Sequence, residues 1–344
     1  MSLPVEPPIE PMLASLADQI PAGPGWLYEP KWDGFRAIAF RDEDRVHLAS
    51  RNGQALERYF PELLTVLREA LPTRCVVDGE IVIVEDQGLD FEALLLRIHP
   101  AASRIRLLSA ESPSSYVAFD LLAAGDEDLR SLPFAQRRQK LERVVRFGPR
   151  LLLAPQTADV ALAKKWFDSF EGAGLDGIVA KRADLPYVAG KRVMVKVKHQ
   201  RTADCVVGGY RVAKKGDSVG SLLLGLYDDS GTLHYVGHTS SFSAEQRKEI
   251  LEKLKPLEGK DSFGTGRTPG GPSRWNQGRD TAWVSVAPKL VCEVGFDHLQ
   301  GIRFRHATRF LRWRPDKPPR QCTYEQLRPP RPFSLSALLS SVDG

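Results

Sequence analysis

The sequence predicts an α+β protein of two domains, a larger α+β domain over residues 1–200 and a small β-barrel domain over residues 201–344. A chain of 344 residues is too long for one ordinary hydrophobic core, so two domains are the first expectation. From residue 26 onward, short strand-like segments alternate with helical ones. Beyond residue 200 the chain changes to short β-segments separated by Gly and Asp, which is typical of a barrel.

Within the first domain the apolar spacing predicts each element in turn. Residues 1–25 are rich in proline and are expected to form an irregular lead-in. The segments "FRAIAF", "RVHLAS" and "CVVDGEIVIV" predict strands, and "PELLTVLREAL" predicts a helix that begins at a proline. A strand, two helices and two more strands follow: "SYVAFDLLAA", "LPFAQRRQKLERVVRF", "DVALAKKWFDSFEGAG", "DGIVAKR" and "RVMVKVKH".

The second domain shows about five short strands and one helix, "SAEQRKEILEKLK", which suits a small Greek-key barrel of the OB type. A hinge between the domains is expected near residues 200–203. The segment 259–280 is rich in Gly, Pro, Ser and Arg and is predicted to be a mobile loop.

Charge and cysteine usage narrow the class of protein. The 48 Lys and Arg residues exceed the 43 acidic residues, and the net charge of +5 favours a polyanionic partner without identifying one. No apolar segment approaches the roughly 20 residues of a membrane span, and the N-terminus does not resemble a secretory signal. A cytoplasmic protein with no membrane partner is therefore expected. The four cysteines form no Cys-x-x-Cys pair, which predicts packing roles in a reducing compartment rather than a zinc site.

The segment "KWDGFR" (residues 31–36) places a lysine between a strand-like flank and a tight Asp-Gly turn. A lysine attacks phosphorus only as the free amine, whereas an unperturbed lysine has a pKa of about 10.4. A nucleophilic lysine therefore needs neighbouring cations, burial or a metal to lower its pKa. Arg36 could bind a sugar hydroxyl or a phosphate beside it. Taken alone, Lys31 is more simply interpreted as a surface or salt-bridging lysine, and the rest of the chain must decide.

The pattern Lys31-x-Asp33-Gly34-x-Arg36 resembles the nucleophile motif of the covalent nucleotidyltransferases, which are the ATP-dependent DNA ligases, the RNA ligases and the mRNA-capping enzymes. The chain continues in order with segments similar to the other motifs of that superfamily. These segments are "SRNG" (50–53), "DGEIV" (78–82), "VAFDLL" (117–122), "DGIVAK" (176–181), "VKVK" (195–198) and "RFLRWRPDK" (309–317). The resemblance implies a nucleotidyltransferase (adenylation) domain with mixed and antiparallel sheets, followed by an OB-fold β-barrel.

The resemblance also implies a role for each matching residue. Lys31 is the catalytic nucleophile and carries covalent AMP, while Asp316 and Lys317 orient the pyrophosphate leaving group. Glu80 and Asp176 hold Mg²⁺ or Mn²⁺, metals that prefer carboxylate oxygens and phosphates. The residues implied to bind ATP are Glu29, Arg36, Arg51, Glu80, Phe119, Lys196 and Lys198.

Several of these residues have a structural explanation as well. Phe119 is implied to stack on adenine, but by composition it is more often a core residue. Glu29 is implied to read the adenine amino edge, and Arg51 to contact the nucleotide and the DNA 5′-phosphate. Lys196 and Lys198 alternate with valines and so project from one face of a strand, where they repel unless they point at an anion such as the α-phosphate. The carboxylates could instead be turn or capping groups, and the basic C-terminal segment a solvated tail.

Two departures from the superfamily pattern are visible. Asp176 stands where many relatives have Glu, and its shorter arm shifts the expected metal position. The segment "VMVKVK" lacks the tryptophan often found just before these lysines. Neither departure removes a functional group.

The motifs together predict an ATP-dependent DNA ligase that seals nicks in duplex DNA through lysyl-AMP and DNA-adenylate. The chain most resembles small bacterial stand-alone ligases and the ligase domain of end-joining enzymes. A monomer that acts in DNA repair and recombination at the nucleoid is expected, with DNA end-binding or repair proteins as partners. The alternative enzymes are an RNA ligase and a capping-type guanylyltransferase. The alternative of another class is a catalytically silent DNA-binding relative.

Overall fold

The computed structural model describes residues 2–85, 88–170, 174–199, 201–213, 218–259, 262–264, 269, 282–297, 299–328 and 335. The chain forms two compact units, the first of Met1–His199 with Pro329–Gly344 and the second of Gln200–Arg328. The expected division had placed residues 329–344 in the second domain, whereas Leu335, the described residue of that segment, belongs to the first unit. Leu335 gives the physical reason, because its side chain is 2% exposed and lies in an apolar cluster of the first unit with Trp32 and Phe119.

Strands and helices alternate along the first unit, as the sequence predicts. Its strands are β1 (Leu13–Ala17), β2 (Trp26–Pro30), β3 (Phe35–Asp42), β4 (Arg45–Ser50), β5 (Arg74–Val82), β6 (Val84–Glu85), β7 (Gly88–Leu89), β8 (Ser115–Ala124), β9 (Glu127–Asp128), β10 (Leu151–Leu153), β11 (Gly177–Arg182) and β12 (Arg192–Lys198). Its helices are α1 (Pro61–Ala70), α2 (Phe91–Leu96), α3 (Ala102–Glu111), α4 (Phe134–Val144) and α5 (Val160–Phe170).

One sheet of the first unit has the strand order β1-β12-β11-β2, in which β1 runs parallel to β12 and the other pairs are antiparallel. The predicted irregular lead-in is therefore wrong for residues 13–17, which form β1. The register places Leu16 beside Lys196. Because β1 pairs with the outer side of β12, that strand is not an edge of the sheet, and its lysines are held in a fixed register.

The second sheet of this unit has the order β10-β8-β5-β3-β4, and β9 also pairs with β8. Its pairs are antiparallel apart from β10, which runs parallel to β8. On one side, apolar residues of the sheet pack with Leu63 of α1 and Leu141 of α4. On the other side, Val117 and Phe119 of β8 share a cluster with Ile178 of β11. The two sheets therefore face each other, and the candidate site lies between them.

Two glycines allow a close approach of backbone around Lys31. Gly177 has a φ of +129°, a left-handed conformation that favours glycine, and a Cβ there would collide with the carbonyl oxygen of Val197. A Cβ at Gly34 would collide with the carbonyl oxygen of Ile81. The Asp-Gly turn after Lys31 therefore packs directly on β5, and the start of β11 packs directly on β12.

The second unit is mainly β-structure with one α-helix in its described residues. Its strands are β13 (Arg201–Val212), β14 (Val219–Tyr227), β15 (Leu233–Thr239), β16 (Val284–Ser285), β17 (Val291–Phe296), β18 (Leu299–Gln300), β19 (Arg303–Phe304) and β20 (Arg309–Trp313). The helix α6 (Ala244–Leu254) begins with a capping box, in which the side chains of Ser243 and Gln246 each accept a backbone N–H. Ile250 and Leu254 of α6 pack in the core of this unit.

The main sheet of the second unit has the order β15-β14-β13-β17-β20, and β16 also pairs with β13. In the described residues these strands follow an open path rather than the closed barrel that the sequence predicts. Single parallel bridges join Tyr227 to Thr323 and Thr239 to Thr308. Most of the predicted mobile loop, residues 259–280, lies outside the described residues.

Two further expectations concern the chain as a whole. All four cysteines are buried free thiols, in agreement with the predicted packing role. No described helix is long and apolar enough to cross a membrane.

Candidate active site

A cavity of about 200 Å³ lies between the two sheets of the first unit. Strands of both sheets contribute to it, together with the segment that follows β2. Seven of the predicted site residues line this cavity: Glu29, Lys31, Arg36, Arg51, Glu80, Phe119 and Lys196. The fold thus brings together side chains that are up to 167 positions apart in the sequence.

Two backbone hydrogen bonds fix Lys31 beside the start of β11. Its N–H donates to the carbonyl oxygen of Gly177 at 2.8 Å, and its carbonyl oxygen accepts from the N–H of Asp176 at 2.9 Å. The Lys31 Nζ lies 2.5 Å from Oδ2 of Asp176, and the Lys198 Nζ lies 2.9 Å from the same oxygen. Asp176 therefore joins the two lysines, and it does not itself line the cavity.

Arg36 is held by the buried carboxylate of Asp78, which belongs to the segment "DGEIV" and was not among the predicted site residues. Its Nε and one terminal nitrogen each donate to the Asp78 carboxylate at 2.7 Å. The hydroxyl of Tyr187 donates to the same carboxylate at 2.6 Å and accepts from the N–H of Met12 at 3.1 Å. Burial opposes the charge of Arg36, but Asp78 overcomes this and raises the pKa of the guanidinium above its ordinary value.

Glu29 is 3% exposed and lies in a polar arrangement of its own. The Nζ of Lys181 lies 2.6 Å from its Oε2, and the side-chain amide of Gln156 donates to its Oε1 at 2.8 Å. The Lys181 ammonium also lies 4.7 Å from the centre of the Phe119 ring. Lys181 and Gln156 were missed. Lys181 belongs to the motif-like segment "DGIVAK" and could have been predicted from it, whereas Gln156 lies in no such segment.

Phe119 is only 7% exposed, and a buried ion pair of the next residue anchors its strand. The next residue, Asp120, accepts from Nε and a terminal nitrogen of Arg137, both at 2.8 Å. Arg137 is fully buried and also donates to the carbonyl oxygens of Leu132 and Leu185. On its other side, Phe119 has the Arg36 guanidinium 4.7 Å from its ring centre. The ring is thus both a core residue and part of the cavity wall.

Two further ionisable groups of the cavity, Glu80 and Lys196, depart from their ordinary pKa values. Burial raises the pKa of Glu80 to about 7, although the charges of Arg36 and Lys31 oppose this shift. Burial lowers the pKa of Lys196, and the neighbouring ammonium groups of Lys198 and Lys31 lower it further. A cluster of charges with incomplete compensation of this kind is typical of a functional site.

Arg51 is exposed and borders a second cavity of about 400 Å³ as well as the first. Arg36 and Glu80 also line both cavities, so the two are adjacent. Asn52 and Ile98 line only the second of them.

Asp316 and Lys317 lie in the second unit, after β20. Arg314 donates to Asp316 at 2.8 Å and to Asp204 at 2.9 Å, and the Lys317 Nζ lies 3.9 Å from Asp204. The hydrogen bonds from Arg314 lower the pKa of Asp316 to about 2. Asp204 therefore interacts with Lys317 directly and with Asp316 through Arg314.

The site combines a lysine amine, an aromatic wall, several cations and two nearby carboxylates, and it lies between two packed sheets. This combination is that of a nucleotidyltransferase. Residues 11–198 match the family described as "ATP dependent DNA ligase domain", and residues 215–317 match the "ATP dependent DNA ligase C terminal region". The chain therefore belongs to the ATP-dependent DNA ligases. The resemblance, the α+β class and the DNA ligase activity inferred from the sequence are confirmed.

Individual relatives agree with this family. The chain is 50% identical to DNA ligase C1 of Mycolicibacterium smegmatis, over 98% of this chain and 99% of that protein. It is 32% identical to the multifunctional non-homologous end joining protein LigD of Pseudomonas aeruginosa, over 94% of this chain and 38% of that protein. A solved structure described as "DNA binding with a minimal scaffold: Structure-function analysis of Lig E DNA ligases" matches with a TM-score of 0.54 and 18% identity, over 88% of this chain and 99% of that chain. That likeness shows the fold alone.

Proposed function

We propose that this chain seals nicks in duplex DNA, with Lys31 as the nucleophile. The observation that carries the proposal is the position of its amine beside a cavity lined by Arg36, Phe119 and Lys196. The Lys31 nitrogen bonds to the α-phosphorus of ATP, and the bond from that phosphorus to the pyrophosphate oxygen breaks. The adenylyl group then passes to the 5′-phosphate of the nick. Attack by the adjacent 3′-hydroxyl joins the strands and releases AMP.

The purine is selected by complementary polar groups. Adenine presents an amino donor beside a ring-nitrogen acceptor, and Glu29 with Lys181 presents an acceptor beside a donor at 2.6 Å. Guanine presents the reverse pattern, which would leave buried polar groups unpaired. Phe119 offers a ring face for stacking. This arrangement supports ATP rather than GTP as the nucleotide.

The phosphates are bound by cations rather than by acid–base groups, because charge develops on phosphate oxygens in every step. Arg36 is preorganised by Asp78, and Lys196 lines the cavity beside it. Lys198 reaches the same region through Asp176. In the second unit, Asp316 and Lys317 are proposed to orient the leaving pyrophosphate.

Glu80 and Asp176 are proposed to hold a divalent cation, Mg²⁺ or Mn²⁺. Both carboxylates interact with Lys31, and the raised pKa of Glu80 marks a carboxylate that lacks full compensation by its neighbours. Mg²⁺ binds through one or two carboxylates together with substrate phosphates and water, so this donor set fits. When bound, the cation supplies charge neutralisation at the phosphates.

The DNA substrate is proposed to reach the site near Arg51, which is exposed beside the second cavity. Contacts to the DNA backbone make binding independent of sequence and sensitive to salt. The similarity to an end-joining protein supports a role in DNA repair, and DNA end-binding or repair proteins are the proposed partners of a monomeric enzyme.

The reaction class is tested by intact-mass spectrometry of the full chain after incubation with ATP and Mg²⁺. The parent is expected to gain the mass of one adenylyl group, and Lys31→Arg, which keeps the positive charge, is expected to gain none. Peptide mapping must place the group on Lys31. Adenylylation of another residue would show that the site assignment is wrong.

The alternative enzymes are separated by substrate. A capping-type enzyme would retain the label of GTP rather than that of ATP, and an RNA ligase would seal nicked RNA in preference to nicked DNA. We expect label from ATP and sealing of nicked DNA. A catalytically silent DNA-binding protein would show no covalent AMP at all.

A further inference from the structure

The second unit carries basic side chains that the proposed chemistry does not use. Arg211 lies on β13, His238 on β15 and Arg303 on β19. Arg211 is paired with Ser221 of β14, and His238 with Leu223 of the same strand. Side chains two residues apart on a strand share a face. Arg211 and His238 therefore project from the same face of the sheet.

A register shift brings Arg303, the third basic side chain, to this face. β14 and β15 change register between Leu224 and Gly225. As a result, Tyr235 and His238 share a face although they are three residues apart. The guanidinium of Arg303 lies 5.3 Å from the centre of the Tyr235 ring. Arg303 thus lies over the surface that carries Arg211 and His238.

These side chains have no anionic partner in the described part of the second unit. The Nε atoms of Arg211 and Arg303 are buried and make no hydrogen bond. Burial lowers the pKa of His238, and the charges of both arginines lower it further, so the three groups lie close together. Buried donors without acceptors and neighbouring like charges are both unfavourable. The stability of the unit therefore gives no reason for this arrangement.

We infer that Arg211, His238 and Arg303 bind one backbone phosphate of the DNA substrate. The two non-bridging oxygens of a phosphodiester can accept from both guanidinium groups, and its charge offsets their repulsion. Arg211 and Arg303 are themselves partly exposed, so both residues remain open to solvent. This site rests on the proposed function, because it requires DNA as the substrate.

The salt dependence of DNA binding tests this site. Binding of the full chain to a fluorescent nicked duplex is measured by anisotropy over a series of KCl concentrations, for the parent, Arg211→Gln, Arg303→Gln and the double variant. A phosphate contact contributes about 0.9 to the slope of log K against log salt. Each single variant is expected to bind about tenfold more weakly and to lower the slope by about 1. The double variant is also expected to lower it by about 1, because one phosphate is involved.

Arg130→Gln is the matched control. It removes the same charge from a surface pair with Asp128 in the first unit, where the two side chains are 2.7 Å apart, and the parental slope is expected. Arg303→Lys keeps the charge and is expected to keep the slope. All variants are expected to form lysyl-AMP at the parental rate, which also shows that they are folded.

Three outcomes would overturn the inference. The slopes of both single variants could equal that of Arg130→Gln, or the double variant could lower the slope by about 2, as for separate phosphates. Slower lysyl-AMP formation with unchanged DNA binding would assign the cluster to the triphosphate. A parent that neither binds nor seals nicked DNA would instead contradict the proposed function.

Discussion

At the scale of single residues, the Asp176 carboxylate forms salt bridges with two lysines. Its Oδ2 lies 2.5 Å from the Lys31 amine and 2.9 Å from that of Lys198. It therefore offsets the repulsion between two ammonium groups that the fold brings near each other. Its short side chain is sufficient because backbone hydrogen bonds hold Asp176 beside Lys31.

The pair of Glu29 and Lys181 carries a prediction at this scale. Both side chains are almost fully buried, so Lys181→Met leaves the Glu29 carboxylate without its main partner. The variant is expected to lose about 3–5 kcal/mol in free energy of unfolding, measured by urea denaturation. Glu29→Gln combined with Lys181→Met is expected to recover part of this loss, since both charges of the pair are then removed.

Lys140→Met is the control for that experiment. Lys140 pairs with Glu127 at 2.6 Å, but the two side chains are 35% and 57% exposed. Its loss is expected to stay below about 1 kcal/mol. If Lys181→Met costs no more than Lys140→Met, the buried pair does not hold the cavity wall.

At the scale of secondary-structure elements, helix α4 supports strand β8 through one buried ion pair. Arg137 of α4 and Asp120 of β8 are joined by two hydrogen bonds of 2.8 Å. Burial raises the pKa of Asp120, and the pair with Arg137 opposes this shift. Because Phe119 precedes Asp120, the helix holds the aromatic wall of the cavity although it does not line it.

Removal of this support is expected to loosen β8 specifically. Arg137→Met should cost about 3–5 kcal/mol and should accelerate amide hydrogen exchange in peptides from β8 and α4. The adenylylation rate should also fall, because the Phe119 ring is then held less rigidly in the cavity wall. Arg130→Met, which disrupts an exposed pair, should leave the exchange of β8 unchanged. Faster exchange throughout the first unit in Arg137→Met would contradict a local role.

At the scale of the whole molecule, the predicted site residues are divided between two units. The cavity and Lys31 belong to the first unit, while Asp316 and Lys317 belong to the second. Asp204 organises the second group, because it accepts from Arg314 at 2.9 and 3.1 Å. Its own backbone is held by two hydrogen bonds with Gln326. The geometry around Asp316 and Lys317 therefore depends on a residue about 110 positions earlier.

Asp204→Asn should separate the steps of the reaction. The loss of one charged hydrogen bond, about 1.5–3 kcal/mol, is expected to slow lysyl-AMP formation by tenfold or more. Sealing of a nick that already carries AMP should be affected much less, because no pyrophosphate leaves in that step. Single-turnover assays measure both rates.

Glu293→Gln is the matched control, since Glu293 pairs with Arg312 on the neighbouring strand. It is expected to leave both rates near the parental values. Equal losses in the two steps for Asp204→Asn would indicate general damage to the second unit rather than a role in the first step.

The sequence by itself determined the chemistry of this protein, because the order and spacing of its motifs name the family, and seven predicted residues line the cavity. It did not show that residues 13–17 form a strand, that Leu335 packs in the first unit, or that Tyr187 holds Asp78 from 109 positions away. These features depend on which distant segments meet, and local spacing carries no information about that. Only the tertiary structure decided which carboxylate pairs with which cation, because burial between two sheets makes each unpaired charge costly.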